Sequence, residues 1–132
     1  MAPKDNPSVE APKLKDMKLF RQQCYIDGQW VDADGKATVA VNHPATGAVL
    51  GTIPRAGAAE TRRAIEAANK AWPAWRAKSA KERATILRKW YELMIANTDD
   101  LGVLMTSEQG KPLAEAKGEV AYAAWFIEWF AE

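Results

Sequence analysis

The spacing of hydrophobic residues changes once along this chain, near Gly57. Before it the apolar positions step by two, as on half-buried strands. Cys24, Ile26 and Trp30-Val31 predict a short strand interrupted by the turn-forming Asp27-Gly28. Asp34-Gly35 predicts a hairpin, because both residues tolerate the positive φ of a type I′ turn. Thr38, Val39 and Val41 suit the returning strand. His43-Pro44-Ala45-Thr46-Gly47 reads as a second turn, and Val49-Leu50-Gly51-Thr52-Ile53 as a third strand ended by Pro54.

After Gly57 the period becomes helical. Ala64, Ile65, Ala68 and Ala71-Trp72 share one face of a first helix, which Pro73 stops or bends. Ser79 and Glu82 have capping-box spacing and open a second helix through Ile86, Leu87, Trp90, Leu93 and Met94. Thr98 is positioned to cap a short third helix, with Asp99 and Asp100 at its positive end and Gly110 able to close it in a left-handed conformation. Pro112 suits the first turn of a fourth helix. Leu113, Ala116, Val120, Ala124, Ile127 and Ala131 form its apolar stripe, and Gly118, Tyr122, Trp125, Phe126 and Trp129 widen that surface to a second face.

The last of these segments is the most informative. Residues 121–131 carry Glu128 as their one charge, then the sequence stops at Glu132. A helix that is apolar on several sides belongs inside a larger protein or a membrane. Eleven residues are too few to span a bilayer, which takes about 20. The expectation is the front piece of something bigger.

Composition narrows the chemistry. The chain has 132 residues, which suits one domain, and a net charge of +1, which selects no charged partner. Its single cysteine, Cys24, rules out an internal disulfide framework and fits a reducing compartment. The first 18 residues show no secretory signal and no arginine, and residues 1–16 read as a disordered leader with Met17 an alternative start. A cytoplasmic location is therefore expected. No glycine-rich phosphate loop, CxxC or HExxH occurs, and with one histidine an all-protein zinc site is disfavoured. His43 reads as an ordinary turn histidine and Cys24 as an inert strand residue.

Charge is unevenly placed. Residues 62–89 carry a local net of +7 and residues 92–132 a net of −6. Basic residues interleaved with Trp72, Trp75 and Trp90 could form a nucleic-acid surface. The tryptophans fall on the apolar stripe, so a solvated basic face docked against the acidic one is the favoured reading. Neither nucleic acid nor membrane is expected as a partner.

Six segments, in order, resemble the start of an aldehyde dehydrogenase. They are Tyr25-Ile26-Asp27-Gly28-Gln29-Trp30; Pro44-Ala45-Thr46-Gly47 with Leu50-Gly51; Ala64-Ile65-Glu66-Ala67-Ala68; Trp75-Arg76; Glu82-Arg83 with Ile86-Leu87; and Glu108-Gln109-Gly110-Lys111-Pro112-Leu113 with Glu115. The stretches 80–87, 108–119 and 126–132 are similar to bacterial succinate-semialdehyde dehydrogenases in particular. His43 departs from the family, which usually places Asn before that proline.

The resemblance implies an α/β parent enzyme. Residues 1–18 would be its leader, and 19–132 an incomplete, outer part of its cofactor-binding domain: a hairpin, a third strand and about four helices. The parent would oxidise succinate semialdehyde, or a similar aldehyde, to the acid with NADP or NAD. The remainder of the dehydrogenase chain would be this segment's partner, within a homo-oligomer. The nucleophilic cysteine, the general-base glutamate and the cofactor-binding residues would all lie beyond Glu132, so the chain alone is expected to be inactive and to bind no cofactor. Two site expectations come with the family: Tyr122 and Phe126 beside the substrate tunnel, and Glu108 helping to hold a monovalent cation with carbonyls near Asn42. The rival reading is a small non-catalytic protein that binds a partner through its aromatic C-terminal helix.

Overall fold

The computed structural model describes residues 9–132. Two antiparallel hairpins precede four helices. Strands β1 (Cys24–Ile26) and β2 (Gln29–Val31) form the first hairpin, β3 (Thr38–Asn42) and β4 (Val49–Pro54) the second. Helices α1 (Ala58–Ala77), α2 (Ala80–Ala96), α3 (Thr98–Gln109) and α4 (Leu113–Ala131) follow.

The two aspartate-glycine pairs exchange the roles the sequence suggests for them. Asp27-Gly28 is the hairpin turn: φ is 50° and 78°, and Ile26 pairs with Gln29 across the two-residue loop. Asp34-Gly35 joins no paired strands, and the positive φ in that loop falls on Lys36 at 53°. The reason lies in α1, whose Glu60 Oε1 accepts the Asp34 N–H at 2.8 Å and draws the loop out of the sheet. The third strand expected from sequence is therefore the return strand of a second hairpin. That hairpin carries a bulge at Val41/Asn42 and turns through His43, whose Nδ1 accepts the Ala45 N–H at 3.1 Å.

Ser79 and Glu82 make the capping box expected of them, with the Ser79 N–H donating to Glu82 at 2.8 Å. Gly110 closes α3 at φ 77°. Pro73 does not stop α1, which runs on to Ala77 with the proline inside it. Thr98 does not cap α3 either, since its hydroxyl donates back to the Ile95 carbonyl at 2.8 Å.

α4 is the central element, packed on α2 and α3. Ala116, Val120 and Ala124 are buried there, with Ala33, Ala48 and Leu50 beside the strands. Small residues along α4 let the neighbouring helices approach closely. α1 touches chiefly β1 and leaves Ile65 and Trp72, on its expected inner face, exposed. Among the described residues no helix is long and apolar enough to cross a membrane.

The stretch expected to be an unstructured leader, 1–18, divides here. Residues 1–8 lie outside the described residues, and 9–18 carry bonds. The Glu10 N–H donates to the Val49 carbonyl at 2.8 Å. The Lys15 and Asp16 N–H groups donate to the two carboxylate oxygens of Asp100, at 2.9 and 2.8 Å.

Candidate functional site

Candidate chemistry lies in three places: the aromatic face of α4, the recess below Glu108, and the charged junctions that fix both.

On α4 the four-residue spacing puts Tyr122 and Phe126 one above the other. Their rings meet edge to face with centroids 5.0 Å apart, a favourable aromatic geometry. Both are exposed, and so are Trp125, Trp129 and Phe130, the last two by 77% and 75%. A shape-defining aromatic pair on a rigid helix can wall a water-poor channel. The tail of α4 is pinned to α2 by Arg88, whose Nη1 lies 2.7 Å from Glu128 and whose Nη2 also engages Glu132. The Arg88 guanidinium also sits over the Tyr91 ring. This is where the basic and acidic segments meet, on one arginine rather than along a whole face.

Glu108, exposed in the last turn of α3, borders a recess of about 20 Å³ shared with Phe20, Val41, Leu50 and Gly51. The bulged Asn42 stands next to Val41, and its Nδ2 donates to the Gly47 carbonyl at 3.0 Å. A carboxylate beside a bulged hairpin offers a hard cation some of the oxygens it prefers. Among the described residues no group of three or more His, Cys, Asp or Glu is placed to hold a metal ion.

The charged junctions went unread in the sequence. Glu60 is buried and accepts N–H bonds from Asp34 (2.8 Å) and Gly57 (2.9 Å). Those bonds, Asp34's first, hold its carboxyl at about 2 against an ordinary 4.5. Arg63 returns to the Asp34 carboxylate in a bidentate pair at 2.8 and 2.7 Å. Asp99 lies between Lys117 and Lys15, each at 2.7 Å, and these two hold its carboxyl at about 2 against 3.8, Lys117 first. Asp99-Asp100 was visible as a helix-start signal; the distant partners of Asp99 and of Glu60 were not.

The same junction bears on cofactor binding. β4 runs into α1, the kind of strand-to-helix turn that can cradle a phosphate. Here Glu60 already occupies the Gly57 amide, and its negative charge would repel a phosphate at that turn.

Two short hairpins feeding four helices that leave apolar side chains exposed match the amino-terminal part of a Rossmann-like α/β domain. The chain belongs to the aldehyde dehydrogenase family, whose sequence profile matches residues 30–132. It is 70% identical over 120 residues to a glutarate-semialdehyde dehydrogenase of Pseudomonas aeruginosa, covering 91% of this chain and 25% of that protein. Over 120 residues it is 63% identical to the NADP(+) succinate-semialdehyde dehydrogenase of Escherichia coli, with the same coverage. The solved succinate-semialdehyde dehydrogenase of Burkholderia pseudomallei superposes with a TM-score of 0.87 at 65% identity, over 89% of this chain and 24% of that one. The chain spans about a quarter of the length of these relatives.

Proposed function

We propose that this chain is the amino-terminal part of an NAD(P)-dependent dehydrogenase that oxidises succinate semialdehyde, or a similar short aldehyde with a carboxylate at its far end, to the dicarboxylic acid. The supporting observation is the 63–70% identity to enzymes named for such substrates, two of which differ by one methylene in chain length. In this reading the α4 aromatic face is covered by the rest of the dehydrogenase, within a cytoplasmic homo-oligomer. Tyr122 and Phe126 line the substrate tunnel, where aromatic walls exclude water from the reacting carbonyl. Glu108 contributes to a monovalent-cation site with carbonyls of the β3–β4 hairpin. Residues 1–132 alone are inactive and bind no nicotinamide cofactor.

An antibody against residues 60–110 can capture the native polypeptide from its source cells. The expected product is several times heavier than 14.6 kDa and reduces NAD or NADP with succinate semialdehyde, whereas purified 1–132 reduces neither. A native product of 14.6 kDa, or cofactor reduction by purified 1–132, overturns the proposal. In a dehydrogenase carrying this segment, Phe126→Ala should raise KM for the semialdehyde more than it lowers kcat. An unchanged KM removes Phe126 from the tunnel.

The exposed Trp129 and Phe130 also favour a second reading, a small non-catalytic protein that docks on a partner through α4. A monodisperse 1–132 with one cooperative unfolding transition supports it, and a loose, dye-binding state counts against it.

A further inference from the structure

We infer that residues 9–16 are a fastener that couples the β3–β4 hairpin to the start of α3, closed by the Asp100 carboxylate. The hairpin and the helices otherwise meet only lightly, at Pro44 against Gly110 and around the recess below Glu108. The strap spans the two bodies. At one end Val9 lies alongside Val49 in a single parallel bridge and the Glu10 N–H donates to the Val49 carbonyl at the β4 edge. Pro12 is buried midway. At the other end the consecutive N–H groups of Lys15 and Asp16 enter Asp100 Oδ1 and Oδ2. The Asp16 carboxylate then accepts the Lys18 N–H at 2.9 Å and starts the 3₁₀ turn at Met17–Leu19.

The chemistry of the closure is specific. Asp100 is buried, and two backbone donors approach it in fixed directions. Only a carboxylate offers an acceptor oxygen to each; an asparagine would turn its NH₂ group towards one of the amides. The donors belong to the backbone, so the seat does not depend on the strap's side chains. Lys15 does reach Asp99, but that pair is exposed and competes with water, so it adds little. Lys117 of α4 holds Asp99 from the other side and keeps the neighbouring negative charge balanced when the strap leaves. Closure therefore rests on Asp100 and not on Lys15, and opening frees the hairpin while leaving the α2–α3–α4 packing in place.

Amide hydrogen exchange read by mass spectrometry on a dehydrogenase carrying this segment tests this. In Asp100→Asn, the segments 10–18 and 38–54 should exchange faster by on the order of tenfold, because a charged acceptor of two N–H groups is lost. The α4 segment 114–124 should not change. Lys15→Ala should alter none of the three by more than about twofold, as befits an exposed pair. A chain beginning at Met17 should reproduce the faster hairpin exchange without touching α3, which keeps the test informative if Asp100→Asn folds poorly. Unchanged hairpin exchange in the shortened chain overturns the inference. So does acceleration of all three segments together, which would mean a general loosening.

Discussion

A single carboxylate, Glu60, decides where the second half of the chain begins. It fills the amide of Gly57 at the head of α1 and, with its other oxygen, takes the amide of Asp34 from the preceding loop. Folding lowers its pKa from 4.5 to about 2, so the folded state holds the charged form more tightly than the unfolded chain does. Stability from this source is complete above the unfolded value and is lost as pH falls from about 4.5 towards 2. Asp99 acts in the same direction between 3.8 and about 2. Urea unfolding followed by circular dichroism should show midpoints that fall through this window, and Glu60→Gln should be less stable at neutral pH with a flatter acid limb. Gly110 is the other residue with a sharp requirement: its φ is 77°, and an added β-carbon would lie 2.9 Å from Pro44 Cγ. Gly110→Ala should cost about 1–2 kcal/mol in the same assay, the left-handed penalty of an L-residue. The C-terminal glycine was legible because its rule is local. Glu60's reach to Asp34 was not, since 26 residues separate the two and only the folded chain brings them together.

At the level of elements, the local capping rule held at Ser79 and failed at Thr98, whose hydroxyl turns back to the Ile95 carbonyl. In the Ser79–Glu82 box, Ser79→Ala should lower stability by about 1 kcal/mol through the loss of a side-chain acceptor at the head of α2. An unchanged unfolding midpoint would show that tertiary packing alone sets that helix start. Expectations failed where two equivalent local signals competed. Asp27-Gly28 and Asp34-Gly35 carry the same turn chemistry, and the first won because its flanking strands pair directly. Pro73 removes one helical N–H, yet α1 continues through it to Ala77. Hydrophobic spacing placed an apolar stripe on α1 correctly; it could not say that this chain leaves Ile65 and Trp72 uncovered.

The whole molecule is open. Its accessible surface is 9825 Å², against about 6,900 Å² for a compact monomer of this mass. Among the described residues no large side chain is fully buried, so the interior that a chain of this length could form is not closed. Purified 1–132 should therefore bind a hydrophobic dye and associate at micromolar concentration. Trp129→Ser with Phe130→Ser should reduce that association in sedimentation, and an unaltered profile would move the sticky surface to α1 or α2. Family and layer order were legible at this scale because each segment's pattern survives on its own. What covers the apolar faces was not, since periodicity reports that a face is apolar and never what lies against it.

The uncovered faces give the chain an optical property. Trp30, Trp72, Trp90, Trp125 and Trp129 are all exposed, and Trp75 alone is half-buried. They stand on β2, α1, α2 and α4, one set of fluorophores for each face. Water around an indole shifts its emission to the red, so the isolated chain should emit as a largely hydrated protein. Whatever docks on one face will blue-shift that face's tryptophans and leave the others unchanged. Single Trp→Phe replacements would then read out, face by face and without any label, where cover arrives.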